Sequence, residues 1–261
     1  MKPLVVFGDV HQTPKSLEKL LSDPLVSGAD KFSLGDIFDK GHGDINECFD
    51  LLIKHNVQMI LGNHEEPYLN FLKKNRSPSS IRHDGKRATY QKLSETSKEY
   101  LRTAKSFIQL ESVLLVHAGI GPHHIIQQNL NGKTFNEILR LRYVDKNSLE
   151  HVSTIHNKET HTWGPAHENV WRWQEVYNRR YGCVIYGHNI DSKEWPICWF
   201  NDHGFEYSGW IMPNDKTEAQ MLKLSKYKAI GLDTGAYKQD GHLTAIIIKN
   251  DDFSFIRVPH A

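Results

Sequence analysis

Five short stretches of this chain place an aspartate, asparagine or histidine beside a glycine, or in one case two residues before it, directly after an apolar run. They are Gly8-Asp9-Val10-His11, Gly35-Asp36-Ile37-Phe38-Asp39-Lys40-Gly41, Gly62-Asn63-His64-Glu65, His117-Ala118-Gly119 and Gly187-His188-Asn189. Carboxylate and amide oxygens suit hard divalent cations, whereas imidazole suits manganese, iron and zinc, so the mixed set points to transition metals. One carboxylate can bridge two such ions, and a pair roughly 3.5–4 Å apart is the usual arrangement for cleaving phosphoesters. Asp36 stands centrally in the set and is the natural bridge. Asp9 and His11 would complete the shell of one ion, and Asn63, His117 and His188 that of the other. Spacing alone leaves the division of ligands between the ions open.

Loops that converge on one site need strands to deliver them, and the ends of parallel strands are where α/β proteins bind ligands. Residues 4–7 predict a buried strand ahead of Asp9, and residues 31–34 and 57–61 predict strands ahead of Asp36 and Asn63. Between them, Leu17, Leu20 and Leu21, then Ile45, Phe49, Leu52 and Ile53, fall at helical spacing. This alternation predicts a parallel sheet with right-handed crossovers. Residues 66–110 are expected to be mostly helical, interrupted at Ser77-Pro78-Ser79-Ser80. The basic cluster there, Arg76, Arg82, Lys86 and Arg87, is expected to be a solvated surface. Residues 112–116 and 184–186 predict the strands that deliver His117 and His188, with a helix over 134–142 between them. Residues 144–162 are polar and poorly periodic. Residues 229–236, 243–248 and 253–258 predict antiparallel strands of a second sheet.

A chain of 261 residues can bury a full core as one domain. A net charge of +1 with 24% charged residues argues against sequence-specific nucleic acid as a partner. Cys48, Cys183 and Cys198 are widely spaced and odd in number, which predicts no disulfide framework and a reducing setting. No apolar run approaches a signal peptide or a membrane span, so a soluble cytoplasmic protein with no membrane partner is expected. No repeat or linker divides the chain. One domain over 1–261 is expected, with a helical insert about 66–110 and an aromatic-rich insert about 190–228. The latter holds Trp195, Trp199, Phe200, Phe205, Tyr207 and Trp210, for which packing is the expected role.

In their order, the five motifs resemble those of the calcineurin-like metallophosphoesterases. The likeness is to the phosphoprotein phosphatase branch, which includes bacterial protein phosphatases and symmetrical dinucleoside tetraphosphatases. Asp233-Thr234-Gly235-Ala236, followed by Leu243-Thr244-Ala245, also resembles that branch's C-terminal strand pair. The resemblance implies an α/β fold, a four-layer αββα sandwich of two mixed β-sheets flanked by helices. It implies two divalent metal ions at the strand ends, manganese first and iron, zinc, nickel or cobalt as alternatives, with a bridging hydroxide that attacks phosphorus directly. Asp9, His11, Asp36, Asn63, His117 and His188 match the ligand positions. His64 matches the residue that protonates the leaving oxygen, and Asp39 the carboxylate that holds its imidazole.

Departures from the pattern bear on substrate. Lys40 stands where the family has arginine, so a point charge replaces a bidentate fork. Glu65 is more typical of protein phosphatases than of tetraphosphatases. Lys40, Arg172 and Asn63 are the expected phosphate-binding residues, with Arg142, Arg179 and Arg180 competing for the place of Arg172. Hydrolysis of phosphomonoesters is the leading expectation, with a phosphoprotein, phosphopeptide or phosphorylated small molecule as partner. A dinucleoside tetraphosphate hydrolase is the alternative. A binding module without catalysis is the remaining one, and it is disfavoured because no ligand and no acid is missing.

Overall fold

Along the first strand the side chains divide. Val5 and Phe7 join one apolar cluster and Val6 another, which is the two-residue period of a strand buried on both faces. The computed structural model describes residues 2–73, 84–111, 113–120, 135, 138–141, 143–145, 151–152, 161–163, 182–190, 196–200 and 222–261. Its first part runs β1 (Leu4–Phe7), α1 (Pro14–Leu21), β2 (Asp30–Ser33), α2 (Ile45–Lys54) and β3 (Val57–Met59). Three helices follow, α3 (Glu66–Lys73), α4 (Asp84–Lys92) and α5 (Glu95–Arg102), then β4 (Phe107–Leu110) and β5 (Val113–Val116). Three short strands come next, β6 (Tyr143–Asp145), β7 (His151–Val152) and β8 (His161–Trp163). The rest is β9 (Cys183–Tyr186), β10 (Ile197–Phe200), β11 (Leu222–Lys223), β12 (Tyr227–Gly231), β13 (Asp233–Thr234), β14 (His242–Lys249) and β15 (Asp252–Pro259).

The local reasons match the sequence. Helix α1 opens on proline, whose fixed φ suits a first helical turn, and buries Leu17, Leu20 and Leu21 on one stripe. Helix α2 is capped by Asp44, whose carboxylate accepts from the Asn46 N–H at 2.8 Å. Helix α5 is capped in the same way by Ser94, which accepts from the Ser97 N–H at 3.0 Å.

Two mixed sheets result. The first has the order β11-β15-β14-β1-β2-β3, with β13 paired to β14; the second has the order β10-β12-β9-β5-β4. Strands β1, β2 and β3 are parallel, as the alternation predicts. The sheets meet face to face through Val6, Phe32, Leu115, Ile185, Ile230 and Ile246. The opposite faces of β1 and β5, represented by Val5, Phe7, Leu114 and Val116, belong to the cluster that holds the leucines of α1 and Ile138 and Leu139 of the helical turn at 138–140.

Two expectations are corrected. Strands β14 and β15 do not belong to the second sheet: β14 lies antiparallel to β1, with Val6 opposite Ile246, and β15 pairs with β14. Their apolar alternation suits either sheet, and nothing in a strand's own sequence names its partner. The end of the stretch expected to be helical is β4, an antiparallel partner of β5. Within the poorly periodic stretch, β6, β7 and β8 form a small third sheet in the order β7-β6-β8. The aromatic insert over 190–228 lies mostly outside the described residues. Its described part includes β10, which pairs with β12.

Candidate metal centre

The candidate residues stand just beyond the C-terminal ends of five strands. Strands β1, β2 and β3 of the first sheet deliver Asp9 and His11, then Asp36, Asp39 and Lys40, then Asn63 and His64. Strands β5 and β9 of the second deliver His117 and His188. Backbone bonds tie these loops together. The N–H groups of Val10 and His11 donate to the Asp36 carbonyl at 3.0 and 2.8 Å, and that of Gly187 donates to the His117 carbonyl at 2.7 Å. The Asp36 loop has its own clamp. The fully buried Glu65 carboxylate accepts from the N–H groups of Asp36, Ile37, Phe38 and Gly62 at 2.7, 2.7, 3.1 and 2.9 Å.

Backbone strain collects here. Among the described residues, the non-glycine positions with positive φ are His11, Gln12, Asp36, Asp39, Lys40, Asn56, His188 and Asn250. Five of these are candidate site residues, and such conformations persist only where the surroundings over-determine them.

Side-chain donors converge on Asp36. Its Oδ1 lies 3.3 Å from His117 Nε2, and its Oδ2 lies 3.8 Å from His11 Nε2 and 3.7 Å from His64 Nε2. Asp9 Oδ2 is 3.8 Å from His11 Nε2, and the Asp9 carboxylate accepts from the His188 N–H at 3.1 Å. Two groups of candidate ligands share Asp36: His11, Asp36 and His64, and Asp36, His117 and His188, with donor atoms inside each group within 4.8 Å of one another.

Hydrogen bonds fix which nitrogen each ring presents. His11 Nδ1 donates to the Phe38 carbonyl at 2.9 Å and His117 Nδ1 donates to the Leu34 carbonyl at 2.7 Å, so in both rings the Nε2 lone pair faces the cluster. His117 Nε2 thus meets Asn63 Oδ1 at 3.0 Å, an acceptor facing an acceptor, which a cation between them would satisfy. Glycines make the room: a Cβ at Gly187 would collide with Asp9 Oδ1, and one at Gly62 with Asp36 Oδ1. Donor types, tautomers and space all fit divalent ions.

Electrostatics agree. Burial pulls His11 down to about 3 and also lowers His117, which keeps both rings neutral and able to ligate. Burial alone would raise Asp36, but any positive charge on the imidazoles of His117, His64, His11 and His188 favours its anion and holds it well below the ordinary range. His64 differs from the other rings. Its Nδ1 bonds Asp39 Oδ2 at 2.7 Å; burial works to lower it, yet that bond and the Asp36 charge raise it above its ordinary value. Tyr68 supports the pair, its hydroxyl donating to Asp39 Oδ1 at 3.4 Å.

Asp9, His11, Asp36, Asn63, His117 and His188 are therefore brought together, and Asp39 and His64 are brought to their edge. Lys40 reaches inward, with Nζ 3.0 Å from His11 Nε2. Arg172, Arg142, Arg179 and Arg180 lie outside the described residues, as do Arg76 and Arg82. Lys86, expected on a solvated surface, instead stands with Nζ 3.9 Å from Asp39 Oδ2. Glu65, expected to mark substrate type, turns its carboxylate to backbone N–H groups.

Two nearby residues had no role in the sequence reading. The ring of Tyr237 meets His11 edge to face at 5.0 Å, and Lys40 Nζ lies 5.0 Å from its centroid. Asp233 is buried beside Asp9. Its signal was present, since Asp233-Thr234-Gly235 follows an aliphatic strand just as the five motifs do.

Solved structures share this architecture. A candidate diadenosine tetraphosphatase superposes with a TM-score of 0.60 at 19% identity, covering 100% of this chain and 95% of that one. A metallophosphoesterase from Sphaerobacter thermophilus gives 0.61 at 18% identity, covering 99% and 89%. A protein serine/threonine phosphatase from Saccharomyces cerevisiae, similar to human phosphatase PP5, gives 0.56 at 14% identity, covering 100% and 80%. At these identities the likeness is one of fold. No curated protein matches the sequence. A calcineurin-like phosphoesterase model, however, matches residues 2–191, from β1 through the His188 loop, and the chain belongs to that family of hydrolases.

Proposed function

We propose that the chain is a phosphomonoesterase that requires two divalent ions, manganese first, and acts on phosphoproteins at serine, threonine or tyrosine. The observation that carries this reading is the His64–Asp39 pair. Asp39 holds Nδ1 at 2.7 Å, which leaves Nε2 turned toward the cluster, 3.7 Å from Asp36 Oδ2. A serine or threonine alkoxide leaves poorly and needs a proton as the P–O bond breaks, whereas a nucleotide phosphate departs as a stable anion. A positioned acid therefore serves the monoester more than the anhydride.

Asp9, His11, Asp36, Asn63, His117 and His188 hold the ions in this reading. Once bound, the ions would supply a nucleophile at neutral pH and offset charge developing on the phosphoryl oxygens. The chain's own groups do the rest. Lys40 and Asn63 hold the substrate phosphate, and Arg172 is proposed alongside them on the resemblance alone. Asp39 fixes the tautomer of His64 and raises its affinity for a proton, and Nε2 passes that proton to the leaving oxygen. Cys48, whose buried thiol is free, fits a reducing cytoplasmic setting.

A dinucleoside tetraphosphate hydrolase is the second reading. The ammonium groups of Lys40, beside His11, and Lys86, beside Asp39, favour it, since a polyphosphate presents more charge to hold. The test compares leaving groups. The His64→Ala variant should lose far more rate on a phosphoserine peptide than on an aryl phosphate whose phenolate leaves readily. Equal losses on both would contradict the acid role.

A further inference from the structure

Asp233 is a buried carboxylate that the six candidate ligands and the acid pair leave unused. It opens β13, whose partner β14 also pairs with β1, the strand that delivers Asp9. The approach is close: a Cβ at Gly8 would stand 2.6 Å from the Leu232 carbonyl oxygen and 3.3 Å from the Asp233 nitrogen. Asp233 is 4% exposed. Its Oδ1 accepts from the Gly235 N–H at 3.0 Å, closing a local turn, but its buried Oδ2 has no donor to accept from.

An ionised carboxylate oxygen out of reach of water and of any donor is costly unless something positive stands near. Its surroundings make the cost larger. The charges of Asp233 and Asp36 both act on Asp9, that of Asp233 more strongly, and Lys40 is the lysine that offsets Asp9 and Asp233 alike. A divalent ion held by Asp9 would supply the positive charge that the unpartnered Asp233 oxygen lacks.

We propose that Asp233 is a positioning residue of this centre: its buried carboxylate, set beside Asp9, adds a third negative charge that strengthens the hold on the ion shared by Asp9 and His11. This rests on reading the centre as one for two ions. Partners beyond the coordinating atoms commonly change metal affinity by about tenfold to a hundredfold.

Calorimetric titration of the metal-stripped full chain with manganese alone tests it, comparing wild type with Asp233→Asn. Asparagine keeps an oxygen to accept from Gly235 and removes the charge. Asp233→Ser, whose hydroxyl also accepts in a tight turn, is the second variant should the first fail to fold, and circular dichroism checks both. Wild type should bind two ions, and the variant should bind one of them about tenfold to a hundredfold more weakly with the other unchanged. Two unchanged affinities in a folded variant would overturn the proposal and leave Asp233 a turn residue. Equal weakening of both would overturn it too. Fewer than two ions on wild type would overturn the two-ion reading itself, and the place of Asp233 with it.

Discussion

Three histidines at this centre differ by what their Nδ1 atoms bond. His11 and His117 donate Nδ1–H to main-chain carbonyls, and burial keeps both rings neutral. His64 gives Nδ1 to a carboxylate and is the ring held above its ordinary value. Neutral rings suit ligation and a proton-retaining ring suits acid catalysis. His64→Ala should therefore lower turnover on phosphopeptides about 10²–10⁴-fold. Its manganese content should stay near two ions, as metal analysis would report; an empty centre would make His64 a ligand instead. Asp36→Asn should leave both ions unbound, because Asp36 alone belongs to both candidate groups. Asp39→Asn tests the pair from the other side. Against the lowering effect of burial, the bond to Asp39 is the foremost influence raising His64, so its loss lowers the pKa of the ring. The proton is then lost at lower pH, and the alkaline limb of the rate profile should move to lower pH. An unmoved limb would exclude His64 as the acid.

Elements explain why the loop residues hold their places. The carboxylate of Glu65, standing just ahead of α3, gathers four backbone N–H groups from the Asp36 loop and Gly62. Glu65→Ala leaves those donors without an acceptor, and at about 1–3 kcal/mol for each unsatisfied buried group the loss should exceed ~3 kcal/mol in urea unfolding. An unchanged midpoint would mean that water enters and replaces the carboxylate. In the sequence this residue served only as a marker of substrate type and had no structural part, since residue type does not tell whether a carboxylate faces a ligand or a main chain. The same limit hid Asp233, which carries the aliphatic-strand, carboxylate and glycine pattern but lies far along the chain from its partner Asp9. Strands β1, β2, β3, β5 and β9 were legible because a run of aliphatic residues ending at glycine is a local signal. Strands β14 and β15 were legible as strands, yet the place of β14 beside β1 depends on pairing across more than two hundred residues, which no local signal carries.

At the scale of the molecule, the centre joins two sheets. Asp9, His11, Asp36 and Asn63 come from the first, and His117 and His188 from the second. Ions bound across that seam would favour the folded state, since only there do the candidate ligands stand together. Free manganese at a hundred times its dissociation constant adds about 2.7 kcal/mol per ion. Stripped protein should melt at a lower temperature and regain its midpoint when manganese returns; identical midpoints would argue against ions at the seam. Among the described residues no helix is long and apolar enough to cross a membrane.

The most direct test of the account is phosphate release by metal-stripped protein resupplied with manganese, on a phosphoserine peptide beside diadenosine tetraphosphate. A positioned acid at His64 predicts manganese-dependent release that is faster on the peptide. Faster cleavage of the dinucleotide would contradict it, and would make Lys40 and Lys86 the residues that choose the substrate.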